Sequence, residues 1–198
     1  MALKPLAPST SWPLLRRLAR AIDLGEGRPG HCERVATLVR ALAHDLGWSH
    51  PRAARLAEAA LVHDIGKAVA ALGCGAQPDR IPDQLHPELG AQLLANVLDE
   101  EQLGWVRHHH ERVGGGGYPR GLRSAIPDGA RLIGLAEDWD ALGRRGPACP
   151  VERFHHLTTA GYCPRTVSKL LELLESGSRE LAEPFRCICG QVGSRGAW

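Results

Sequence analysis

Histidine and carboxylate side chains recur at four informative places along this 198-residue chain. His31 stands alone, and His63-Asp64 lies within Leu61-Val62-His63-Asp64-Ile65-Gly66-Lys67. His86 follows, and His109-His110-Glu111 makes a second tandem. Imidazole nitrogens with carboxylate oxygens form a donor set for Fe, Mn or Zn, and a carboxylate can bridge two such ions. Two ions held this way would acidify a bridging water to hydroxide at neutral pH and neutralise phosphodiester oxygens during in-line attack. Lys67 could aim its ammonium at the phosphate or the nucleophile; a solvated lysine at a helix end is the plain alternative. Neighbouring side chains on a helix diverge by about 100°. Either tandem therefore serves a site only where its helix frays or where several ions are held. Taken singly, each histidine reads as a surface or capping residue before it reads as a ligand.

Other positions carry weaker signals. The glycine run Gly114–Gly117 would let backbone N–H groups approach a phosphate or a partner closely, or simply be a flexible loop. His108 reads as a helix-face histidine, His155-His156 as a surface pair, and Trp105 and Trp139 as core packing. Arg144-Arg145 is either a phosphate clamp or a solvated pair, and the Cys187-Cys189 spacing lacks a second pair nearby.

The elements that must position these residues read as helices. Val35, Leu38, Val39, Leu42 and Leu46 form one apolar stripe after His31, with Gly47 as its stop. Pro51 suits the first turn of a helix running towards His63 and Asp64. Further helices are predicted over 87–98, 100–111, 127–142, 151–160 and 164–175, the last with Val167, Leu170, Leu171 and Leu174 on one face. Period-two alternation is hard to find anywhere, so the predicted fold is all-α. Residues 73–82 read as a loop, and each glycine of 114–117 would cost about 1 kcal/mol inside a helix. The organisation expected is an N-terminal segment with a short helix over 1–22, a catalytic domain over 23–176 and a tail over 177–198.

Composition narrows the class. Lys and Arg total 24 against 22 Asp and Glu, a near balance that argues against a DNA-coating protein. Hydrophobic residues at 43% and charged residues at 23% suit a globular domain rather than a disordered chain. Lys4, Lys67 and Lys169 are the only lysines, which draws attention to Lys67. No stretch approaches the roughly 18 apolar residues of a membrane span, and Arg16, Arg17 and Arg20 stand where a signal peptide needs apolar residues. The chain reads as cytoplasmic and without membrane insertion. Its six cysteines are therefore not expected to form a disulfide scaffold.

The order of motifs is more specific than any one of them. His31-Cys32-Glu33-Arg34-Val35, the His63-Asp64 segment, Ile81-Pro82, His86-Pro87-Glu88-Leu89-Gly90, His109-His110-Glu111, Gly117-Tyr118-Pro119, Gly121-Leu122, Ile126-Pro127 and Asp140-Ala141-Leu142 follow one another. This succession, over roughly His31 to Leu174, resembles the HD-GYP family of HD-domain metal-dependent phosphohydrolases. The resemblance implies a helical bundle holding two or three metal ions, often iron, that hydrolyses cyclic dinucleotides, most often cyclic di-GMP. It implies His31, His63, Asp64, His86, His109, His110 and Glu137 as metal ligands, with Asp64 bridging and Asp138 a fallback for Glu137. Asp64 and Lys67 would be catalytic; Gly117, Tyr118, Pro119 and Arg145 would meet substrate.

Four positions depart from the family pattern. Gly114 replaces an Asp of the glycine loop, Glu137 a metal-binding Asp, and Gly146 a phosphate-holding Arg for which Arg145 would substitute. Gly27 stands where members with three metals have Glu, which predicts two ions, Fe or Mn. The resulting expectation is a phosphodiesterase acting on cyclic di-GMP through a metal-bridging hydroxide. The alternatives are an HD-domain hydrolase or di-iron oxygenase acting on another phosphorylated substrate, and a non-catalytic binding module. A diguanylate cyclase or a regulatory protein is the expected protein partner.

Overall fold

Amphipathic stretches with apolar residues every three to four positions fold into helices throughout the computed structural model, which describes residues 8–71, 83–144 and 150–176. They are α1 (Pro8–Gly25), α2 (His31–Asp45), α3 (His50–Leu61), α4 (Lys67–Ala71), α5 (His86–Leu93), α6 (Glu100–His108), α7 (Asp128–Arg144), α8 (Pro150–Thr159) and α9 (Pro164–Glu175), with a short 3₁₀ turn at Asp83–Leu85. There is no strand among the described residues, so the all-α expectation holds. None of these helices is long and apolar enough to cross a membrane.

The α2 stripe is the spine of the core. Val35, Leu38, Val39 and Leu42 are fully buried, and α2 packs along α3 and α7. Leu56 and Ala60 of α3, Val106 of α6, and Ile133 and Leu135 of α7 complete the interior. The bend after α2 follows from Gly47, whose φ of 84° lies in the left-handed region that glycine adopts freely. There the Gly47 and Trp48 N–H groups donate back to the carbonyls of His44 and Ala43. α1 continues to Gly25, with Ala19 in the core and Asp23 buried, its carboxylate accepting from the Cys32 backbone N–H at the start of α2.

Trp105 and Trp139 are buried, whereas His155 and His156 are exposed. The described cysteines, Cys32 and Cys163, are free. The predicted loop at 73–82, the Ile81-Pro82 element, Arg145, Gly146, and Cys187 with Cys189 lie outside the described residues.

Three helices end earlier than their periodicity suggests: α5 stops at Leu93 rather than at residue 98, and the other two ends matter for the site. α3 stops at Leu61, leaving His63 and Asp64 in the turns that lead to α4. α6 stops at His108 rather than Glu111, with His109 as its C-cap. His63-Asp64 thus lies outside a regular helix and His109-His110 at the very end of one, with His109 still at αR backbone angles.

Candidate metal centre

Five histidines converge from α2, the α3–α4 turn, the start of α5 and the end of α6. Three of them are aimed by the same local device. His63, His86 and His109 each donate Nδ1–H to the carbonyl three residues earlier, of Ala60, Asp83 and Val106, at 2.7, 2.6 and 2.6 Å. His31 Nδ1 instead lies 2.7 Å from the Asp140 carboxylate, which Arg34 also holds. Committing Nδ1 in this way leaves Nε2 as the lone-pair nitrogen and fixes the ring plane, the usual support of a metal-binding imidazole. Arg34 and Asp140, from the two ends of the sequence motif, therefore act through His31.

The donors fall into two groups that share one carboxylate. Asp64, His86, His109 and His110 form the first, and His31, His63, Asp64 and Glu137 the second. Within each group the ligand atoms lie within 4.8 Å of one another. Asp64 Oδ1 is 3.2 Å from His86 Nε2, whereas Asp64 Oδ2 is 3.5 Å from His63 Nε2 and 4.0 Å from His31 Nε2. One carboxylate oxygen faces each group, as a bridging ligand requires.

His63 Nε2, Asp64 Oδ1, His110 Nε2 and Glu137 Oε2 are all buried without a hydrogen-bond partner. An unsatisfied buried polar atom costs about 1–3 kcal/mol, so four in one place approach the 5–15 kcal/mol that holds a whole domain together. These four are ligand atoms gathered in one place, an arrangement that divalent cations satisfy. The residues fit such ions.

Electrostatics prepares the same state. Burial lowers His63 to about 4 and, together with His86, lowers His110 to about 2. Burial and His110 hold His109 well below the usual histidine range. These imidazoles are neutral at pH 7, the form that binds metal. Burial opposes ionisation of Asp64, but His63, His86 and Lys67 override it and keep its carboxyl well below the ordinary range. Burial and the Asp64 charge raise Glu137 to about 8, so Glu137 holds a proton until a cation takes its place.

Lys67 is not a solvated helix-end lysine. Its ammonium lies 2.9 Å from Asp64 Oδ2 and 3.0 Å from Glu26, and its side chain is only 13% exposed. Tyr118 stacks on His110 with ring centroids 4.4 Å apart and planes 25° apart. Gly117 packs so closely on His110 and Arg112 that a Cβ there would lie 2.4 Å from their backbone atoms. The Gly114, Gly115 and Tyr118 N–H groups are spent on the carbonyls of Arg123, Arg112 and His110, so the loop is folded on itself rather than open. Pro119 is half-buried beside Tyr118.

Asp138 points elsewhere: its carboxylate accepts from Arg112 and from the Tyr162 hydroxyl, at 3.0 and 2.7 Å, so Glu137 is the α7 residue that joins the donors. His108 takes no part in either group; its Nδ1 lies 3.9 Å from Glu111.

Two residues escape a reading by motif. Glu111 is buried and accepts from the Arg120 and Leu122 backbone N–H groups at 2.7 Å each, tying the glycine loop to the end of α6. Its position directly after the tandem was the available signal. Arg28 donates to Asp64 Oδ2 at 2.9 Å and to His31 Nε2 at 3.2 Å. Nothing in its surroundings along the chain announces that.

Comparison with known proteins agrees with this arrangement. A family model described as HD domain matches residues 6–158. A cyclic di-GMP phosphodiesterase response regulator, RpfG of Xanthomonas campestris, is 34% identical over 139 residues, 65% of this chain and 37% of the relative. A cyclic di-GMP phosphodiesterase of Thermotoga maritima is 32% identical over 197 residues, 87% of this chain and 50% of the relative. The chain thus spans half or less of the length of these two relatives. A solved HDGYP protein from Bdellovibrio bacteriovorus superposes with a TM-score of 0.59 at 26% identity, covering 73% of this chain and 51% of that one. With His63-Asp64 and Gly117-Tyr118-Pro119 both placed at one donor centre, the chain belongs to the HD-domain family, in its HD-GYP branch.

Proposed function

We propose that this chain is a metal-dependent phosphodiesterase that hydrolyses a cyclic dinucleotide, cyclic di-GMP foremost, on a two-ion centre. The observation that carries the reading is Asp64, whose two oxygens face two separate histidine groups. The Xanthomonas and Thermotoga relatives, both named as cyclic di-GMP phosphodiesterases, support the substrate class. His31, His63, Asp64, His86, His109, His110 and Glu137 hold the ions, and Fe or Mn is the identity we assign within the Fe, Mn and Zn that these donor types admit. Divalent ions there supply the acidified water and the charge neutralisation that phosphodiester cleavage needs.

The chain's own residues do the rest. Lys67 holds its ammonium on Asp64 Oδ2, beside the bridging carboxylate, where it balances charge and lies in reach of an incoming phosphate. The Tyr118 ring keeps the His110 imidazole in its plane, and Gly117 admits the close turn that brings Tyr118 there. Gly117, Tyr118 and Pro119 are assigned to contact with substrate, and Arg145, outside the described residues, is assigned to it from the sequence alone. A regulatory protein, a diguanylate cyclase among the candidates, would meet the same Gly-Tyr-Pro loop.

Anaerobic purification with Fe, Mn and Zn measured per chain, and cyclic di-GMP hydrolysis assayed on the same sample, tests this directly. With free Fe²⁺ or Mn²⁺ kept in the buffer, two ions with turnover are expected, and Asp64→Asn should abolish both while circular dichroism stays helical. Unchanged activity in that variant would sink the site assignment. Metal without turnover would move the substrate to another phosphate ester, and a metal-free protein would leave a binding module.

A further inference from the structure

The two donor groups are not alike in charge. Among the described residues no arginine or lysine side chain is hydrogen-bonded to Asp64 Oδ1 or to the rings of His86, His109 and His110. The second group already contains a cation. The Arg28 guanidinium lies 2.9 Å from Asp64 Oδ2, 3.2 Å from His31 Nε2 and 4.0 Å from Glu137 Oε1, touching or approaching three of that group's four members. Its side chain is only 19% exposed. Lys67 sits on the same Asp64 oxygen, and Glu26 accepts from both Arg28 and Lys67. Two cations thus already face Asp64 and Glu26 at this end of the centre. A divalent ion added to an intact second group would stand against both.

We propose that Arg28 is the resident cation of the second donor group, so that the first group holds an ion tightly and the second accepts one only by displacing the guanidinium. Glu26 makes the displacement feasible. It is one-third exposed at the rim and already paired with Arg28, so the guanidinium can leave His31 and Asp64 without losing its carboxylate partner. The position of Arg28 is supplied by the turn between α1 and α2. Gly27 and Gly30 both have positive φ, 67° and 73°, and carry the chain around so that Arg28 faces inward one turn before His31. Residue 28 thereby sets how many ions the centre carries at a given metal concentration.

The inference rests on the metal-dependent reading above, and the experiment separates the two. Metal-free wild type, Arg28→Met and Arg28→Lys are dialysed against a series of free Mn²⁺ concentrations and the bound Mn is counted per chain. Wild type should fill one site at low Mn²⁺ and a second at a concentration at least tenfold higher. Arg28→Met should bring the second midpoint down by at least tenfold, with Arg28→Lys between the two. Should the variants fail to fold, phenylglyoxal labelling of wild-type Arg28, read by mass spectrometry, gives the same answer. Labelling should rise several-fold as the second site fills. Two equal sites in wild type, an unchanged second midpoint in Arg28→Met, or labelling that does not respond to Mn²⁺ would each overturn the role of Arg28 while leaving the metal centre standing. No Mn bound to any of the three proteins would overturn both.

Discussion

Asp64 is the residue on which the centre turns, because it is the donor common to both groups, with Oδ1 beside His86 and Oδ2 beside His63. Its neighbours are ordered by reach. Glu137 comes from α7 with an unpartnered Oε2 that lies 3.7 Å from His110 Nδ1 and an Oε1 that faces Arg28. The substitution Glu137→Asp places at this position the residue that the family pattern has, and it removes one methylene. The variant is expected to retain as much metal as wild type or more, measured by elemental analysis after gel filtration. A clear loss of metal would show that the longer side chain is what this backbone requires.

At the scale of elements, the turns after α3 and α6 do the positioning, and both depend on close backbone contacts. A Cβ at Gly66 would lie 2.0 Å from the His86 carbonyl oxygen and 2.7 Å from the Gly90 N, both backbone atoms of α5. Gly66→Ala must therefore push α5 away from the His63-Asp64 turn. A cost of about 1–3 kcal/mol or more is expected from such overpacking, seen as a lowered Tm, together with weaker metal retention because His86 moves with α5. Glu111 ties the glycine loop to α6 through two charge-assisted bonds, each worth about 1.5–3 kcal/mol. Glu111→Gln should speed amide exchange at Arg120 and Leu122 before it changes exchange in α2. Equal protection in the variant would show that the loop is held by its own glycine turns.

For the molecule as a whole, the buried titratable groups set a pH profile for the metal-free protein. His63, His109 and His110 have folded pKa values below the 6.5 of an ordinary histidine, so the unfolded chain binds protons that the fold refuses. Their contribution to stability is lost as pH falls from about 6.5 towards 4. Glu137 works the other way. Its folded value of about 8 exceeds the ordinary 4.5, so its contribution declines as pH rises between those two values. Three imidazoles outweigh one carboxyl below pH 6.5, and of these four groups Glu137 alone acts between pH 6.5 and 8. The Tm of metal-free protein should therefore peak near pH 6.5 and fall towards pH 8, and Glu137→Gln should flatten that fall. A Tm that keeps climbing through pH 8 in wild type would contradict a protonated, buried Glu137. Divalent ions should reverse the fall, since binding them takes the proton from Glu137.

Much of this protein was legible in its residues. The all-α fold follows from apolar stripes such as Val35, Leu38, Val39 and Leu42, because helical periodicity is a local property written in short windows of sequence. The seven candidate donors were nameable through a family resemblance, which the order of His63-Asp64, His109-His110 and their neighbouring motifs along the chain carries. Only the tertiary structure could divide those donors into two groups across Asp64, turn Asp138 towards Arg112 and Tyr162, and bring Arg28 onto a carboxylate 36 positions away. Such long-range contacts depend on where helices stop and how they cross. A helix end one turn early, as at His108, redirects two ligands without changing the periodic pattern that predicted the helix.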